Sequence, residues 1–268
     1  KAQKKKAKLE KEKPAEKKRI FVIDFIGDIR AVGVENLREE VTAILTIARA
    51  QKDEVVVRLE SPGGVVHSYG LAATQLNRIR TAGLHLSVCV DKMAASGGYL
   101  MACTAHQIIT APFAIIGSIG VVAQFPNFHR LLKKHDIDYE ELTAGEFKRT
   151  VSVFGEITEK GRKKTLEQIE DIHGLFKSFV KSFRPQLELE KVATGEYWFG
   201  QRAKDLNLVD EIMASDDYLF MQRDTADIFK VELQSRKKWS EKLAENIASV
   251  VVGGYEKSLE KLLKPTGV

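Results

Sequence analysis

The sequence has few of the residues and segments that mark several common protein classes. It contains two cysteines, Cys89 and Cys103, which are too few for a disulfide framework and are expected to be free, buried thiols. Neither they nor the six scattered histidines have the spacing of a metal site, so we expect no metal and no other cofactor. No uninterrupted apolar run reaches the roughly 18 residues that a membrane-spanning helix needs. These absences exclude a disulfide framework and a Cys/His metal site within the given residues, and no apolar segment in them is long enough to span a bilayer.

The composition is that of a folded domain with a basic tail. With 268 residues, of which 44% are hydrophobic and 29% charged, the chain can bury a substantial core. Residues 1–19 carry a net charge of +7 and the whole chain a net charge of +5, so residues 20–268 carry a net charge of −2. We therefore expect no nucleic-acid partner, and interpret residues 1–19 as a solvated juxtamembrane linker. The sequence begins at Lys1, so we expect any membrane anchor or signal segment to lie outside it.

Strand and helix patterns alternate through the first half of the chain. Apolar strand patterns occupy residues 19–27, 54–60 and 84–90, and helical spacing of apolar residues occupies 34–48 and 66–81. This alternation predicts an α/β fold with parallel strands and right-handed crossovers. Sites in such folds form at the carboxyl ends of the strands, where the SPGG and AASGG segments lie.

The second half is less regular. The patterns predict a strand over residues 107–110, a helix over 128–135, a strand over 139–143 and a long helix from Thr158 to Phe183. The composition shifts beyond Ala214, where an edge strand is expected near residues 229–233 and an amphipathic helix over 239–264. We therefore expect a main domain over residues 20–214 and a C-terminal extension over 215–268 that forms an oligomer contact or folds back on its own domain.

Ser96 is the candidate nucleophile. It lies between a predicted strand and a predicted helix, and Gly97 and Gly98 follow it, where small residues permit a close approach to the backbone. Free amide groups at the start of a helix favour a developing oxyanion. The alternative is an N-cap serine beside two packing glycines. The amides of Gly63 or Gly64 and of Gly97 are candidate oxyanion donors, although Gly-Gly after a proline is also an ordinary turn.

A serine nucleophile needs a general base, and the residues alone leave two kinds open. Four histidines are candidates for a Ser-His-Asp arrangement: His67, His106, His129 and His135. The other solution is a desolvated lysine, for which Lys148, beside Phe147 in a polar loop, is a candidate.

Five segments together resemble one peptidase family. These are SPGG (61–64), KMAASGGY (92–99), IGSIGV (116–121), TAGEFKRT (143–150) and GEYWFGQRAKDLNLVDEI (195–212). In order and spacing, over about residues 20–214, they resemble the signal peptide peptidase A family. The resemblance implies a Clp/crotonase-like fold and a Ser/Lys dyad in place of a Ser-His-Asp triad.

The resemblance also implies a role for each matching residue. Ser96 takes the position of the nucleophile, Lys148 that of the general base and Ser118 that of the serine that orients the lysine. Gly63 and Gly97 take the oxyanion-hole positions, with Gly64 as a near alternative. Apolar residues around the site are expected to line a substrate pocket or to belong to the core: Val65, Met93, Tyr99 and Ile119.

The family implies hydrolysis of short hydrophobic peptides, such as cleaved signal peptides, by a ring-like homo-oligomer. It also implies an anchor in the bacterial inner membrane, with the catalytic domain on the periplasmic side. Two other functions share the fold. One is a crotonase-like acyl-CoA enzyme, which needs a carboxylate base and a CoA-binding surface, and the other is a non-catalytic membrane scaffold.

Overall fold

A six-stranded parallel sheet forms the centre of the protein. The computed structural model describes residues 17–234. The strands are β1 (Lys18–Ile26), β2 (Glu54–Glu60), β3 (His85–Val90), β4 (Met93–Ala95), β5 (Gln107–Thr110), β6 (Ile115–Gly117), β7 (Tyr197–Phe199), β8 (Glu211–Ile212) and β9 (Ala226–Val231). The helices are α1 (Val34–Ile47), α2 (Val66–Thr81), α3 (Gly97–Ala102), α4 (His129–Lys134), α5 (Glu159–Phe183), α6 (Leu189–Val192), α7 (Gly200–Asp205) and α8 (Ser215–Gln222).

The main sheet has the strand order β8-β5-β3-β2-β1-β9, and all of its described pairings are parallel. Its inner strands are apolar on both faces, as expected for a sheet covered by helices. The predicted α/β fold with a parallel sheet is therefore confirmed. Because every strand points the same way, the loops after β1, β2 and β3 all leave from one edge.

A second, three-stranded sheet lies next to that edge. Its strand order is β4-β6-β7, with β4 and β6 parallel and β6 and β7 antiparallel. A bridge between Ser61 and Ala94 joins it to the main sheet. The Ser61 N–H donates to the Met93 carbonyl at 2.8 Å, and the Ala95 N–H donates to the Ser61 carbonyl at 3.0 Å. The chain therefore holds the SPGG turn directly against the strand that precedes Ser96.

At the opposite edge of the sheet, where the main strands begin, two buried carboxylates form ion pairs and hydrogen bonds. The Asp53 carboxylate accepts hydrogen bonds from the side chains of Arg19 and Arg49. Burial opposes ionisation, but these hydrogen bonds outweigh it and hold the pKa of Asp53 well below its usual range. Next to it, the buried Glu54 carboxylate accepts 2.6 Å hydrogen bonds from Ser87 Oγ and Tyr218 OH and pairs with Lys18.

Residues 121–157, here called the arm, contrast with this core. Within the arm the structure has one helix, α4, and the predicted strand over 139–143 is wrong, since that segment forms neither helix nor strand. Its large apolar side chains lie mostly on the surface. Those with more than a third of their area exposed are Val122, Phe125, Phe128, Leu131, Ile137, Tyr139, Leu142, Phe147 and Phe154.

The described chain after Ala214 belongs to the same sheet as the residues before it. Tyr218 of α8 reaches Glu54, and β9 pairs with β1 from Lys18↔Ala226 to Ile23↔Val231. The compact unit accordingly extends to Glu232, beyond the shift in composition at Ala214. The predicted edge strand is present as β9, while the helix predicted over 239–264 lies outside the described residues.

Candidate active site

Ser96 occupies a strained turn between β4 and α3. Its backbone has φ +51° and ψ −118°, a conformation that L-residues rarely adopt and that costs roughly 1–3 kcal/mol. The turn is fixed on both sides, because the Ser96 N–H donates to the Gly117 carbonyl at 2.8 Å and the Ser96 carbonyl accepts from Leu100 N–H at 3.0 Å. The side chain is half-buried, and within residues 17–234 its hydroxyl has no hydrogen-bond partner. The structure therefore presents a fixed but uncommitted hydroxyl.

The two glycines after Ser96 are required by close packing. A Cβ at Gly97 would lie 2.4 Å from Tyr69 Cγ, and a Cβ at Gly98 would lie 2.7 Å from the Ser61 carbonyl oxygen. Any larger residue would push α3 away from α2 or from the end of β2. The glycines thus set how deeply the start of α3 sits against the SPGG turn.

Ser118 lies beside Ser96 by the register of the small sheet. The last pair of the β4–β6 ladder is Ala95↔Gly117, so Ser96 and Ser118 both follow it on strands about 4.8 Å apart. Ser118 also has a positive φ, of +52°, and its N–H donates to the Glu196 carbonyl at 2.7 Å. Its side chain is half-buried, and no residue between 17 and 234 bonds its hydroxyl. Two unpartnered serine hydroxyls therefore follow neighbouring parallel strands.

The SPGG turn has a second left-handed backbone against Ser96, at a position that requires glycine. Gly63 has φ +83°, and a Cβ there would lie 2.6 Å from Gly97 N and 2.7 Å from Ser96 Cβ. The Gly63 N–H donates to Ser61 Oγ at 3.1 Å, so this amide is not available to a ligand. The amides of Gly64 and Gly97 have no acceptor among the described residues. Of the three candidate donors, Gly64 and Gly97 are the ones available to a ligand.

A short relay of hydrogen bonds fixes this turn. Ser61 Oγ lies 2.6 Å from Tyr69 OH, and Tyr69 OH donates to the Asp28 carbonyl at 2.7 Å. Since that proton is committed to Asp28, Ser61 donates to Tyr69 and accepts from Gly63 N–H. Burial raises the pKa of Tyr69, so the phenol stays neutral.

Lys148 is not brought to these groups. It lies in the arm, its side chain is exposed, and that side chain makes no hydrogen bond or ion pair with any residue between 17 and 234. Its backbone N–H donates to the Gly145 carbonyl at 3.1 Å, which closes a local turn. The structure thus assembles the serines and glycines of the predicted site within one chain and leaves the predicted base on a surface loop.

The four candidate histidine bases are also absent from the site. His67, His106 and His135 are exposed and His129 is half-buried, and none of them bonds Ser96. His106 instead accepts a 3.0 Å hydrogen bond from Leu86 N–H at the far edge of the sheet.

The predicted pocket residues divide into two groups. Met93 and Val65 are half-buried beside Ser96 and the SPGG turn, where they can touch a ligand. Tyr99 and Ile119 are 0% exposed and belong to the core, with Tyr99 OH donating to the Leu208 carbonyl at 2.8 Å. The structure therefore corrects their assignment to a pocket and supports the core interpretation.

Both cysteines are free and buried, as expected. Burial raises the pKa of Cys89 to about 12 and raises that of Cys103 as well, which makes neither thiol a nucleophile at neutral pH. Residues 17–234 contain no cluster of three metal-ligating side chains and no helix long and apolar enough to cross a bilayer.

Three supporting residues were not found from the sequence. Tyr69 holds the SPGG turn, Trp198 packs 2.9 Å from where a Cβ of Gly117 would lie, and His173 of α5 lies 3.2 Å from the Ile119 carbonyl. Tyr69 bonds the carbonyl of Asp28, 41 residues away, and Trp198 and His173 likewise contact segments distant in the sequence, so helical or strand periodicity gave no signal for these contacts.

The chain matches known peptidases in sequence. The model of peptidase family S49 matches residues 78–228, more than half of the chain, and that of the S49 N-terminal region matches residues 1–76. The chain is 54% identical over 239 residues to probable protease SohB of Haemophilus influenzae, an alignment that spans 88% of this chain and 67% of that protein.

Solved structures share its fold. A variant of the membrane-bound stomatin-specific protease 1510-N, in which one serine is replaced by alanine, has a TM-score of 0.53 at 14% identity, over 82% of this chain and 100% of that one. A ClpP1 variant from Listeria monocytogenes has a TM-score of 0.50 at 15% identity, over 74% of this chain and 94% of that one. The fold is thus that of Clp-type proteases, and the sequence match identifies the chain as a member of peptidase family S49, a serine peptidase.

Proposed function

We propose that the protein is an endopeptidase in which Ser96 is the nucleophile and Lys148 the general base. The observation that carries the proposal is the strained Ser96 turn, whose hydroxyl and two neighbouring backbone amides have no partner among residues 17–234. Strain of this kind persists only where the surrounding contacts enforce it, and it concentrates at functional sites.

The chemistry follows from these groups. Lys148 Nζ, in its neutral form, accepts the Ser96 hydroxyl proton while Oγ attacks the scissile carbonyl carbon. The amides of Gly64 and Gly97 donate to the oxyanion, and the lysine then passes its proton to the leaving amine. Water, deprotonated by the same lysine, hydrolyses the acyl-enzyme and restores Ser96.

Ser118 is the proposed positioning residue for the lysine. Its hydroxyl lies one strand away from Ser96, at the equivalent position after β6, and has no acceptor or donor in the described chain. A lysine amine that reaches Ser96 from this side meets the Ser118 hydroxyl as well. Ser118 would then orient Nζ without taking part in bond making.

The exposed position of Lys148 indicates how the site is completed. A lysine base must lose water to be neutral at working pH, and in the described chain Lys148 is exposed. The arm that carries it also exposes a series of large apolar side chains, including Phe125, Leu142 and Phe147. We infer that the arm packs against a second copy of the chain and that this brings Lys148 to a Ser96, consistent with the ring-like assembly that the family resemblance implies.

The proposed substrates are short, extended, hydrophobic peptides such as cleaved signal peptides. Half-buried Met93 and Val65 offer apolar contacts beside the nucleophile, and an enclosed assembly would keep a broad hydrophobic specificity away from folded proteins. Membrane tethering through a segment before residue 1, with the site on the periplasmic side, belongs to the same proposal.

The test is hydrolysis of a quenched-fluorescence hydrophobic peptide between pH 6 and 10. Ser96→Ala and Lys148→Ala should each lose about a thousandfold or more in kcat/KM, and the wild-type rate should rise with pH. Lys204→Ala, which removes an exposed lysine of α7, is the matched control and should keep full activity. Full activity in Lys148→Ala would overturn the base assignment, and an inactive wild type would favour the non-catalytic scaffold.

A further inference from the structure

A cavity at the amino-terminal edge of the main sheet lies on the side opposite to Ser96. Its volume is about 510 Å³, within the range of small-molecule sites. It is bordered by residues at the starts of β1, β2 and β3 and by Arg80 at the end of α2. Nothing in the proposed peptidase chemistry uses this edge.

The wall of this cavity offers several hydrogen-bond donors and, among the described residues, no uncommitted carboxylate. Its one carboxylate, Asp53, accepts hydrogen bonds from Arg19 and Arg49 on both oxygens. Lys18 is paired with Glu54, but exposed Lys52 makes no ion pair within residues 17–234. A ligand that enters therefore meets positive charge that the protein has not neutralised.

Arg80 is the most distinctive of these donors. Its Nη1 donates to the carbonyls of Thr104 and Ala105 at 2.7 and 3.0 Å, and its guanidinium lies 5.3 Å over the Phe183 ring. Among the described residues no carboxylate pairs with it, and its Nε and Nη2 groups have no acceptor. A half-buried cation without a counter-ion is costly, and burial lowers the pKa of Arg80 accordingly. An anion in the cavity would relieve that cost.

Two stacked histidines complete the wall. The rings of His85 and His106 lie 5.0 Å apart at 18°. Because Leu86 N–H donates to His106 Nδ1 at 3.0 Å, the proton of the neutral ring is on Nε2. Nδ1 is thereby occupied and Nε2 is a donor, which suits an anion and not a metal ion.

We propose that this cavity binds a small phosphate-bearing anion through Arg80, Lys52 and the His106 Nε2–H group. Guanidinium and ammonium groups are the usual partners of phosphate oxygens, and the guanidinium is already held in place by the two carbonyls it bonds. The phosphate group can belong to a soluble molecule or to a lipid headgroup, since both present the same oxygens.

The test uses the full chain and pyrophosphate as the probe, titrated by calorimetry at constant ionic strength. The double variant Lys52→Ala/His106→Asn removes the Lys52 ammonium and the His106 Nε2–H group, and the asparagine oxygen keeps an acceptor for Leu86 N–H. It should bind about tenfold more weakly than the wild type, whereas Lys204→Ala should bind unchanged. Peptide hydrolysis by both variants should stay at the wild-type level, which separates this proposal from that for the active site.

Vesicles of phosphatidylcholine, with and without phosphatidylglycerol, distinguish the two sources of phosphate. Pyrophosphate binding that depends on the cavity residues supports a soluble ligand. A lipid headgroup is supported if the wild type sediments with phosphatidylglycerol vesicles, the double variant sediments with them less, and pyrophosphate does not bind. The proposal is overturned if neither probe binds, or if both bind the double variant as tightly as the wild type.

Discussion

The two parts of the proposed site are built in opposite ways. The nucleophile side, formed by the SPGG turn, the Ser96 turn and the Ser118 turn, is tied down by backbone hydrogen bonds and leaves no room for a Cβ at Gly63 or Gly97. The arm that carries Lys148 has one short helix and a largely exposed apolar surface. One chain therefore holds the proposed nucleophile in place, whereas the position of the proposed base depends on what the arm contacts.

The largest expected effect tests whether Lys148 in the arm of one chain acts on Ser96 of a neighbouring chain. Mixing inactive Ser96→Ala with inactive Lys148→Ala should restore roughly a quarter of the wild-type hydrolysis rate, because random assembly places an intact arm beside an intact Ser96 at that fraction of interfaces. The mixture should be prepared by dissociation and reassembly, with each variant treated alone as the control. If the mixture stays inactive while wild type recovers after the same treatment, the lysine acts on the serine of its own chain.

The next effect compares two glycines with similar backbones. Gly63 and Gly145 have φ of +83° and +95°. A Cβ added at Gly63 would lie 2.6 Å from Gly97 N, whereas a Cβ added at Gly145 would have no other described atom within 4 Å. Gly63→Ala should reduce the free energy of unfolding by about 2–4 kcal/mol and Gly145→Ala by about 1–2 kcal/mol. Urea unfolding measures both, and equal losses would contradict the tight packing assigned to the nucleophile side.

Buried and exposed carboxylates should differ in their response to acid. Burial opposes ionisation of Glu54, but the bonds from Lys18, Ser87 and Tyr218 outweigh it and lower the pKa of Glu54. A lowered pKa contributes stability at neutral pH that is lost as the pH falls below the pKa of about 4.3 of an unfolded glutamate.

Glu54→Gln should therefore reduce the free energy of unfolding at pH 7 by about 1–3 kcal/mol and flatten its decline toward acid. The matched control is Glu188→Gln, where the largely exposed Glu188 pairs with the exposed Lys191 at 2.7 Å and should change stability by less than about 1 kcal/mol. Urea unfolding at several pH values measures both variants. An unchanged acid slope in Glu54→Gln would show that this cluster does not control acid stability.

The smallest expected effect concerns the orienting serine. Ser118→Ala should lower kcat by about tenfold, because it removes a hydrogen bond to the base and not a reacting group. The pH at which the rate is half-maximal should shift in this variant, which a purely structural change would not cause. A loss as large as that in Ser96→Ala would mean that Ser118 itself reacts.

The sequence predicted the main sheet and its helices better than it predicted the arm. Strands such as Glu54–Glu60 and helices such as Val66–Thr81 were found with the bounds that the structure gives, since their hydrophobic patterns are long and regular. The position of Ser96 followed from its two glycines. Tyr69 and Trp198 were missed because they reach the site from distant elements, and residues 139–143 resemble a strand that has no partner in the described chain.

The most direct test of the central claim is covalent labelling of the intact chain by a fluorophosphonate probe, followed by peptide mapping of the adduct. The account predicts one adduct, on Ser96, that forms faster as the pH rises and that slows by at least about a hundredfold in Lys148→Ala. Labelling at another residue, or an unchanged labelling rate in Lys148→Ala, would contradict it.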